Sequence, residues 1–423
     1  MPIYDSGPID NSQTGRAAFA EVSAVNAGRF ATNVSVQLYE LPPLAFGTQT
    51  SNPFFTSLFY LYPRGNPNNT LSSGPVALDS TFGVRVISSG IGENDVAVHV
   101  TLYDADNRTI RTFNVPATSP TPLLVYGVNN GSDNVSVIEA DTEQVTTFIS
   151  TTSTDPTSVA LTPDGSKLYV TVQGTNSVDV YDTATNTLIT NIPVGLGPVG
   201  VFVRPDGAQA YVTNIDDNSV SVIDVATDTI VGAPILTGSM PFAVSFVLSQ
   251  AKAYVTNSNG MSVTIINTNT LVPTGTIPLP ANPVGIATTP NDQKTYVCVQ
   301  LNTLAVIDTA TDALLPAIPL PVGSGVAQVA ITPDGSRAYV TASVAGMLFM
   351  VDTKADIEVP SQAVVIGMGA RGVAITPDGK KAFVTATLEN YIAVVDLQTN
   401  TRQQLISTGV LPSEIAITPN LLF

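Results

Sequence analysis

The 423-residue chain has little of several residue types on which functional sites commonly depend. It contains one cysteine, one histidine and no tryptophan, and its 16 Lys and Arg residues face 33 Asp and Glu residues. The formal net charge of −17 disfavours nucleic acid and anionic lipid as partners, because both bind basic surfaces. A disulfide within one chain is excluded, and zinc or copper sites need several converging His or Cys ligands. We therefore expect no metal and no cofactor.

Long apolar runs are also missing. No stretch approaches the about 18 apolar residues of a membrane helix, so we expect no membrane insertion. The first residues, "MPIYDSGPIDNSQTG", have neither the basic region nor the apolar segment of a signal peptide. Met1 is compatible with a true start and with a start after a removed leader, and both interpretations stay open. With 44% hydrophobic and only 12% charged residues, the chain is nevertheless rich enough in apolar side chains to fold.

What the sequence does contain is a repeat. The phrase "NSVSVIDVATDTI" (218–230) has close variants at 176–188, 302–314 and 390–402. An aromatic residue precedes each copy at intervals of 43, 42, 43, 42, 43 and 44 residues: Tyr126, Tyr169, Tyr211, Tyr254, Tyr296, Tyr339 and Phe383. Each repeat holds four short segments of alternating Val, Ile, Thr and Tyr, which is typical of β-strands. Four strands repeated seven times predict an all-β, seven-bladed β-propeller.

The joints between the segments carry turn residues. Pro-Asp-Gly recurs after the first strand of four repeats, where it suits a tight hairpin. An aspartate ends the third strand of five repeats: Asp182, Asp224, Asp308, Asp352 and Asp396. We interpret these aspartates as acceptors of backbone N–H groups in the next turn, because a metal site would need converging carboxylates.

The phrases "YVTN", "PDG" and "VIDTAT" resemble the YVTN-repeat propellers, a family known from surface-layer and cell-surface proteins of archaea and bacteria. The resemblance covers residues 121–423. The absence of tryptophan excludes the tryptophan–aspartate class of propeller repeats. The resemblance implies a surface protein, and we expect an extracellular or cell-surface location.

The order of the strand types predicts how the ring closes. The repeat region begins with a strand of the second type, in "LLVYGVNN", and ends with an unpartnered strand of the first type, in "LPSEIAITPNLLF". We therefore expect Glu414–Thr418 to pair with the strand around Leu124–Val128. That pairing would remove the open edge of an unclosed ring.

Residues 1–120 do not share the repeat but alternate like β-strands, as in "DVAVHVTLYDADNRTIRTFNV" (95–115). They predict an N-terminal β-sandwich, joined to the propeller (121–423) by "VPATSPTP" (115–122). The "DADN" motif (104–107) is interpreted as a hairpin turn, since it lacks the later ligands of a calcium loop. Five Asn-x-Ser/Thr sequons occur, at Asn33, Asn68, Asn107, Asn130 and Asn134. Chance and the preference of Asn for hairpins explain them, with glycosylation as the alternative.

Candidate chemistry is sparse. The loops that lead to the innermost strands carry only Asp155, Arg371 and Glu414 as charged residues, from which no base, nucleophile and orienting group can be assembled. We interpret His99 as an ordinary strand histidine. Cys298, within the apolar run "KTYVCVQL", is predicted to be a buried, structural thiol. The sequence thus predicts no catalytic residue and no enzyme.

The resulting hypothesis is a non-catalytic extracellular surface or structural protein that acts in self-assembly, filament formation, coating or adhesion. Its N-terminal domain would mediate self-association, with the first residues adding a strand to a neighbour, and its propeller would be displayed. One alternative is a binding scaffold that grips a protein or glycan on a propeller face. Another is a lactonase-like or quinone-cofactor enzyme, which a loss of activity on mutating Arg371 or Glu414 would support.

Overall fold

A computed structural model describes residues 123–300 and 302–418 in full and, before residue 123, only the backbone of eight strands. The chain divides into two compact units, Met1–Leu123 and Leu124–Phe423. Within the described ranges no helix is long and apolar enough to cross a membrane. Four short 3-10 turns occur there, at Asn130–Ser132, Gln173–Thr175, Leu248–Gln250 and Pro360–Gln362.

The N-terminal unit is built from antiparallel strands. They are β1 (Ile3–Asp5), β2 (Phe19–Asn26), β3 (Thr32–Glu40), β4 (Asn52–Leu61), β5 (Thr70–Ala77), β6 (Phe82–Ser89), β7 (Val96–Tyr103) and β8 (Thr109–Val115). They form two four-stranded sheets, in the orders β1-β6-β3-β4 and β5-β2-β7-β8. The packing of these sheets as a sandwich stays a prediction. The interpretations of residues 104–107, the side chain of His99, and the sequons at Asn33, Asn68 and Asn107 fall outside the residues that are described.

The second unit is a seven-bladed β-propeller whose blades we number by their innermost strand. The inner strands are Pro156–Leu161, Pro198–Val203, Pro241–Val247, Pro283–Thr288, Val326–Ile331, Ala370–Ile375 and Pro412–Ile417. The second strands are Lys167–Val172, Gln209–Asn214, Lys252–Asn257, Lys294–Val299, Arg337–Ala342, Lys381–Ala386 and, for blade 7, Leu124–Asn129. The third strands are Ser177–Asp182, Ser219–Asp224, Ser262–Asn267, Thr303–Asp308, Met347–Asp352, Tyr391–Asp396 and Asn134–Glu139.

The outer strands complete each blade. They are Thr187–Pro193, Val272–Pro278, Ala313–Pro319, Thr401–Ser407 and Gln144–Ser150, with split strands in blade 2 (Thr229–Ile230, Ile235–Leu236) and blade 5 (Ile357–Glu358, Val364–Val365). Each inner strand contacts the inner strands of both neighbouring blades, and blade 7 contacts blade 1. The inner strands therefore surround a central channel, with their unpaired edges towards the axis.

Blade 7 is assembled from both ends of the repeat region. Its inner strand pairs antiparallel with Leu124–Asn129, with Ala416 opposite Tyr126 and Ile417 opposite Val125. These are the two segments that the order of strand types places side by side. The pairing leaves no blade with an unpaired second strand, so the ring has no open edge there.

The core lies between blades. The aromatic residue of every second strand is completely buried: Tyr126, Tyr169, Tyr211, Tyr254, Tyr296, Tyr339 and Phe383. Hydrogen bonds from these strands also reach the next blade. Lys167 Nζ and Tyr169 OH donate to Asp228 of blade 2 over 2.7 and 2.5 Å, and two further blades repeat this arrangement. Lys381 Nζ binds Glu143 over 2.6 Å and so joins blade 6 to blade 7.

The turn aspartates have the predicted structural role. The N–H of Thr185 donates to Asp182 over 2.8 Å, and Asp224, Asp308, Asp352 and Asp396 accept equivalent bonds. In the Pro-Asp-Gly turns the glycine has a positive φ, 71° at Gly165, which a residue with a side chain rarely adopts. The prediction that the turn aspartates accept backbone N–H groups in the next turn is confirmed.

Candidate functional site at the mouth of the axial channel

The seven inner strands carry only two charged residues, Arg371 in blade 6 and Glu414 in blade 7. Arg371 is the second residue of its strand and Glu414 is the third. Both lie near the end of the channel at which the inner strands begin. We call this end the front face; it consists of the loops that precede the inner strands and the turns between second and third strands.

The third residue of the inner strand is small in five blades: Ser158, Gly200, Ala243, Gly285 and Gly372. In blades 5 and 7 it is Gln328 and Glu414. A Cβ atom at Gly285 would lie 2.1 Å from Gln328 Oε1, and one at Gly372 would lie 2.7 Å from the Ser413 carbonyl oxygen. Because Gly285 has no side chain, the side chain of Gln328 fits beside it. Because Gly372 has none, the strand that carries Glu414 can pack closely against it.

Gln328 and Glu414 meet across the blade that separates them. Gln328 Nε2 donates to Glu414 Oε1 over 3.4 Å. Glu414 is half-buried as a residue, and protein atoms surround its carboxyl. This burial raises the pKa of Glu414 above its ordinary value, against the lowering effects of the Arg371 charge and the Gln328 hydrogen bond. A buried carboxyl with a raised pKa is a candidate for proton transfer.

Arg371 supplies the positive charge of the site. Its guanidinium is half-buried and makes no hydrogen bond or ion pair with residues 123–300 or 302–418. It is near enough to lower the pKa of Glu414, yet the two side chains form no direct ion pair. A guanidinium that has no partner in the described part of the chain is available to bind a carboxylate or to stabilise an oxyanion.

Threonines of the second strands fix the backbone of this site. The N–H of Gln328 donates to Thr341 Oγ1 over 2.9 Å, and that hydroxyl donates to the carbonyl of Arg371 over 2.6 Å. Thr385 likewise joins the N–H of Gly372, over 2.8 Å, to the carbonyl of Ser413, over 3.0 Å. Each threonine therefore links the inner strands of two blades and sets the spacing of the residues at the axis.

Apolar side chains occupy the second position of the inner strand in three other blades. The second residues of the inner strands of blades 2, 3 and 4 are Val199, Phe242 and Val284, and each is half-buried. Phe242 and Val284 pack against the apolar cores between blades.

The other residues that the sequence singled out lie elsewhere. Asp155 is exposed on the front face, and its N–H donates to Asp133 Oδ1 over 3.0 Å. Cys298 is completely buried, which confirms the interpretation of a structural thiol, and burial raises the pKa of its thiol. Among the described residues no three His, Cys, Asp or Glu side chains form a group that could hold a metal ion. The absence of a metal or cofactor stays a prediction.

Two parts of the site escaped the sequence analysis. Gln328 is a long uncharged polar residue at a position that five other repeats fill with Gly, Ala or Ser and blade 7 fills with Glu414, and aligning the repeats strand by strand would have shown it. Thr341 and Thr385, which we call the clamp threonines because each links two inner strands, lie two residues after the repeated aromatic residue. Their position was therefore visible in the sequence. Their role was not, because it depends on contacts between blades.

No family model and no curated protein sequence matches the chain. Solved structures share its fold. Hydrazine synthase of Kuenenia stuttgartiensis has 22% identity and a TM-score of 0.60, covering 65% of this chain and 92% of that one. A putative 6-phosphogluconolactonase from Bacteroides fragilis has 16% identity and a TM-score of 0.60, covering 72% and 99%. The dihydro-heme d1 dehydrogenase NirN, in complex with DHE, has 16% identity and a TM-score of 0.51, covering 73% and 68%.

These likenesses establish the fold alone. The names of the three structures are nevertheless those of enzymes, and they contradict the prediction of a non-catalytic surface or structural protein for self-assembly, coating or adhesion. That prediction took the loops one at a time and found nothing reactive at the axis. The ring instead brings Gln328, Arg371 and Glu414 from three blades to one side of the channel.

The remaining expectations stay predictions. They are membership of the YVTN-repeat family, the extracellular or cell-surface location, self-association through the N-terminal domain, and a protein or glycan ligand at a propeller face. Two further expectations are equally untested. One is the lack of nucleic-acid and membrane partners, and the other is that the protein is not an enzyme.

Proposed function

We propose that the propeller hydrolyses a small ester or lactone at the mouth of its axial channel. The observation that carries this proposal is the juxtaposition of Glu414, whose pKa is raised by burial, with the guanidinium of Arg371, which has no hydrogen-bond or ion-pair partner among residues 123–300 and 302–418. One of the solved structures with this fold is described as a putative lactonase, which supports the choice of reaction.

The chemistry requires a base and an oxyanion partner. The carboxylate of Glu414 takes a proton from water while the water oxygen attacks the carbonyl carbon of the substrate. The π electrons of the carbonyl move to its oxygen, and the positive charge of Arg371 stabilises the resulting oxyanion. When the carbonyl re-forms, the bond to the alkoxide breaks and Glu414 returns the proton to the alkoxide. The products are a carboxylic acid and an alcohol from an ester, and a single hydroxy acid from a lactone.

Glu414 takes the role of the base because the inner strands contain no histidine. A desolvated carboxylate is a stronger base than one in water, since burial destabilises its charged form. Gln328 donates to one carboxylate oxygen and would orient the other towards the substrate side of the channel.

Steady-state hydrolysis of a panel of esters and lactones by the full chain tests the proposal. We expect Glu414→Gln and Arg371→Met each to lower kcat/KM by about 100-fold or more. Glu139→Gln is the matched control, because the Glu139 carboxylate accepts a hydrogen bond from Thr142 in an exposed turn. Equal rates for the parent and Glu414→Gln, or no turnover of any compound in the panel, would overturn the proposal.

We also propose that the N-terminal unit is a β-sandwich. Its two four-stranded antiparallel sheets, β1-β6-β3-β4 and β5-β2-β7-β8, support this arrangement, since each sheet needs a partner for one apolar face. A crystal structure of the full chain would test it: two sheets packed face to face are expected, and sheets without mutual contact would exclude it.

A further inference from the structure

The contact between two neighbouring blades, which we call a seam, has a recurring polar arrangement at the end of the ring opposite the front face. The first residue of a second strand extends a basic side chain to the turn between the third and outer strands of the next blade. Lys167 Nζ donates to the Val225 carbonyl over 2.8 Å and to Asp228 Oδ2 over 2.7 Å. Tyr169 OH donates to the other carboxylate oxygen of Asp228. A positive charge and a tyrosine hydroxyl thus share one turn residue.

Five of the seven seams contain a basic residue at this position: Lys167, Lys252, Lys294, Arg337 and Lys381. The turn residues of the blades that follow are Asp228, Asp312, Asp356, Asn400 and Glu143. In four seams the basic side chain also donates to the backbone carbonyl directly after the third strand: Val225, Thr309, Thr353 and Leu397. This carbonyl and the turn residue are therefore the usual surroundings of a cation.

The seam between blades 2 and 3 obtains its positive charge from another residue. Gln209 and Leu271 occupy the positions of the basic and the turn residue there. Arg204, just after the inner strand of blade 2, donates to Gln209 Oε1 over 3.3 Å, and Tyr211 OH donates to the same oxygen over 3.3 Å. A protein cation thus lies beside the tyrosine of this seam as well.

The seam between blades 7 and 1 has the acceptors without the cation. Leu124 stands where the lysines stand, and the turn residue of blade 1 is Asn186. Tyr126 OH and Asn186 Oδ1 are both buried, and neither has a hydrogen-bond partner in the described part of the chain. Unpaired polar atoms are costly in a protein interior, so this pair calls for a group that satisfies both.

Tyr126 faces the turn that holds Asn186. Burial raises the pKa of Tyr126, and the negative charge of Asp182, four residues before Asn186, raises it further. The pKa of Tyr169 is raised by burial, by its turn partner and, in the same way, by Asp224. Tyr126 is therefore placed towards blade 1 as Tyr169 is placed towards blade 2, and the field at its hydroxyl is negative.

We infer that the seam between blades 7 and 1 binds a small monovalent cation, ammonium or potassium, at the position that a basic side chain occupies in the other seams. Its ligands are the oxygens of Tyr126 and Asn186 and the carbonyl of Thr183, which is equivalent to that of Val225. Neutral oxygens suit a monovalent ion, whereas calcium depends on carboxylate ligands. The site thus differs from the zinc, copper and calcium sites that the sequence disfavours.

A water molecule is the alternative occupant, because it could bridge the same two oxygens. The cation is favoured by two observations. The charge of Asp182 acts on Tyr126, so a positive ion gains energy there that a neutral molecule does not. The other six seams also hold a protein cation at or beside the equivalent tyrosine or phenylalanine.

The melting temperature of the full chain in different chlorides provides the first test. Ammonium, potassium and tetramethylammonium chloride are compared at equal ionic strength, with tetramethylammonium as the ion that is too large for the site. A cation that binds only the folded protein stabilises it. We expect ammonium or potassium to raise the melting temperature by about 2 °C or more above the value in tetramethylammonium.

Variants of the seam locate the effect. Leu124→Lys/Asn186→Asp supplies the ammonium and carboxylate of the other seams, and its melting temperature should no longer depend on the cation. Gln209→Lys/Leu271→Asp makes the same exchange between blades 2 and 3 and, as the matched control, should keep the parental dependence. Tyr126→Phe removes one ligand and should reduce the dependence; Phe383 shows that a blade accepts phenylalanine at this position.

Crystals of the full chain grown in rubidium chloride give a direct test, because rubidium replaces potassium and scatters anomalously. An anomalous peak between Tyr126 and Asn186 that is missing in Leu124→Lys/Asn186→Asp would support the cation site. Density for a water molecule without an anomalous peak would overturn it. Equal melting temperatures in the three chlorides, or a cation effect that Leu124→Lys/Asn186→Asp retains in full, would overturn it as well.

Discussion

Gln328 Nε2 lies 3.4 Å from Glu414 Oε1, although 86 residues and one complete blade separate the two in the chain. The contact is possible because the residue between them in the ring is Gly372, which has no side chain to fill the channel. This pair places an amide donor against the carboxyl that we propose as the base. Its consequences can be measured.

Removing the amide donor should shift the pH dependence of the reaction. The Gln328 hydrogen bond favours the charged form of Glu414 and lowers its pKa, so Gln328→Leu raises that pKa further. Because the proposed base is the carboxylate, the acidic limb of the pH–rate profile should move to higher pH. Profiles of kcat/KM for the parent and variant give the comparison, with Gln403→Leu on an exposed outer strand as control. An unmoved acidic limb would contradict this role.

Neutralising Glu414 should stabilise the protein at neutral pH. Because burial raises its pKa, the folded protein loses stability as pH rises from the ordinary value of 4.5 through the folded pKa. Glu414→Gln has no such charge to desolvate. We expect its melting temperature to exceed that of the parent at pH 8 and to match it at pH 4. Equal melting temperatures at both pH values would show that the carboxyl is not desolvated.

The clamp at Thr341 should matter for both stability and activity. Thr341→Val keeps the shape of the side chain but leaves the N–H of Gln328 and the carbonyl of Arg371 unpaired, which costs about 1–3 kcal/mol of unfolding free energy. Thr256→Val breaks the equivalent bonds between blades 3 and 4 and should cost about as much. Only Thr341→Val should also lower kcat/KM. Equal kcat/KM values for the two variants would show that the hydrogen bonds of Thr341 do not influence the proposed active site.

Cys298 occupies the clamp position of blade 4, where five of the other six blades have threonine: Thr171, Thr213, Thr256, Thr341 and Thr385. Cys298→Thr would supply a hydroxyl between two inner strands, and we expect a gain of about 1 kcal/mol in unfolding free energy. Urea denaturation measures it. Cys298→Val, which fills the space without a hydroxyl, should show no gain. A gain of the same size in both variants would point to packing instead of hydrogen bonding.

Ring closure should depend on the last strand. Deleting residues 412–423 removes the buried Ile415 and Ile417 and leaves the strand Leu124–Asn129 unpaired on one edge. Two buried isoleucines and the lost hydrogen bonds together stabilise the fold by about 5 kcal/mol or more. We expect a large drop in melting temperature, measured by circular dichroism. A truncated chain that melts within a degree or two of the parent would contradict this form of closure.

The sequence by itself determined the architecture of the propeller. Strand alternation, Pro-Asp-Gly turns and a period near 43 residues are local signals, and counting strand types already required the last segment to pair with the first. The roles of the turn aspartates and of Cys298 followed from the same local reading. Such features depend on residues that are close in sequence or repeated in register.

Only the tertiary structure decided what lies at the axis. Gln328, Arg371 and Glu414 come from three blades, and their proximity depends on the curvature of the ring and on small residues such as Gly285 and Gly372. The raised pKa of Glu414 is set by atoms that surround it in space, not by its neighbours in the chain. The positive φ angles of Met240 and Leu411 likewise had no signature in the sequence, because hydrogen bonds between loops hold these residues in place.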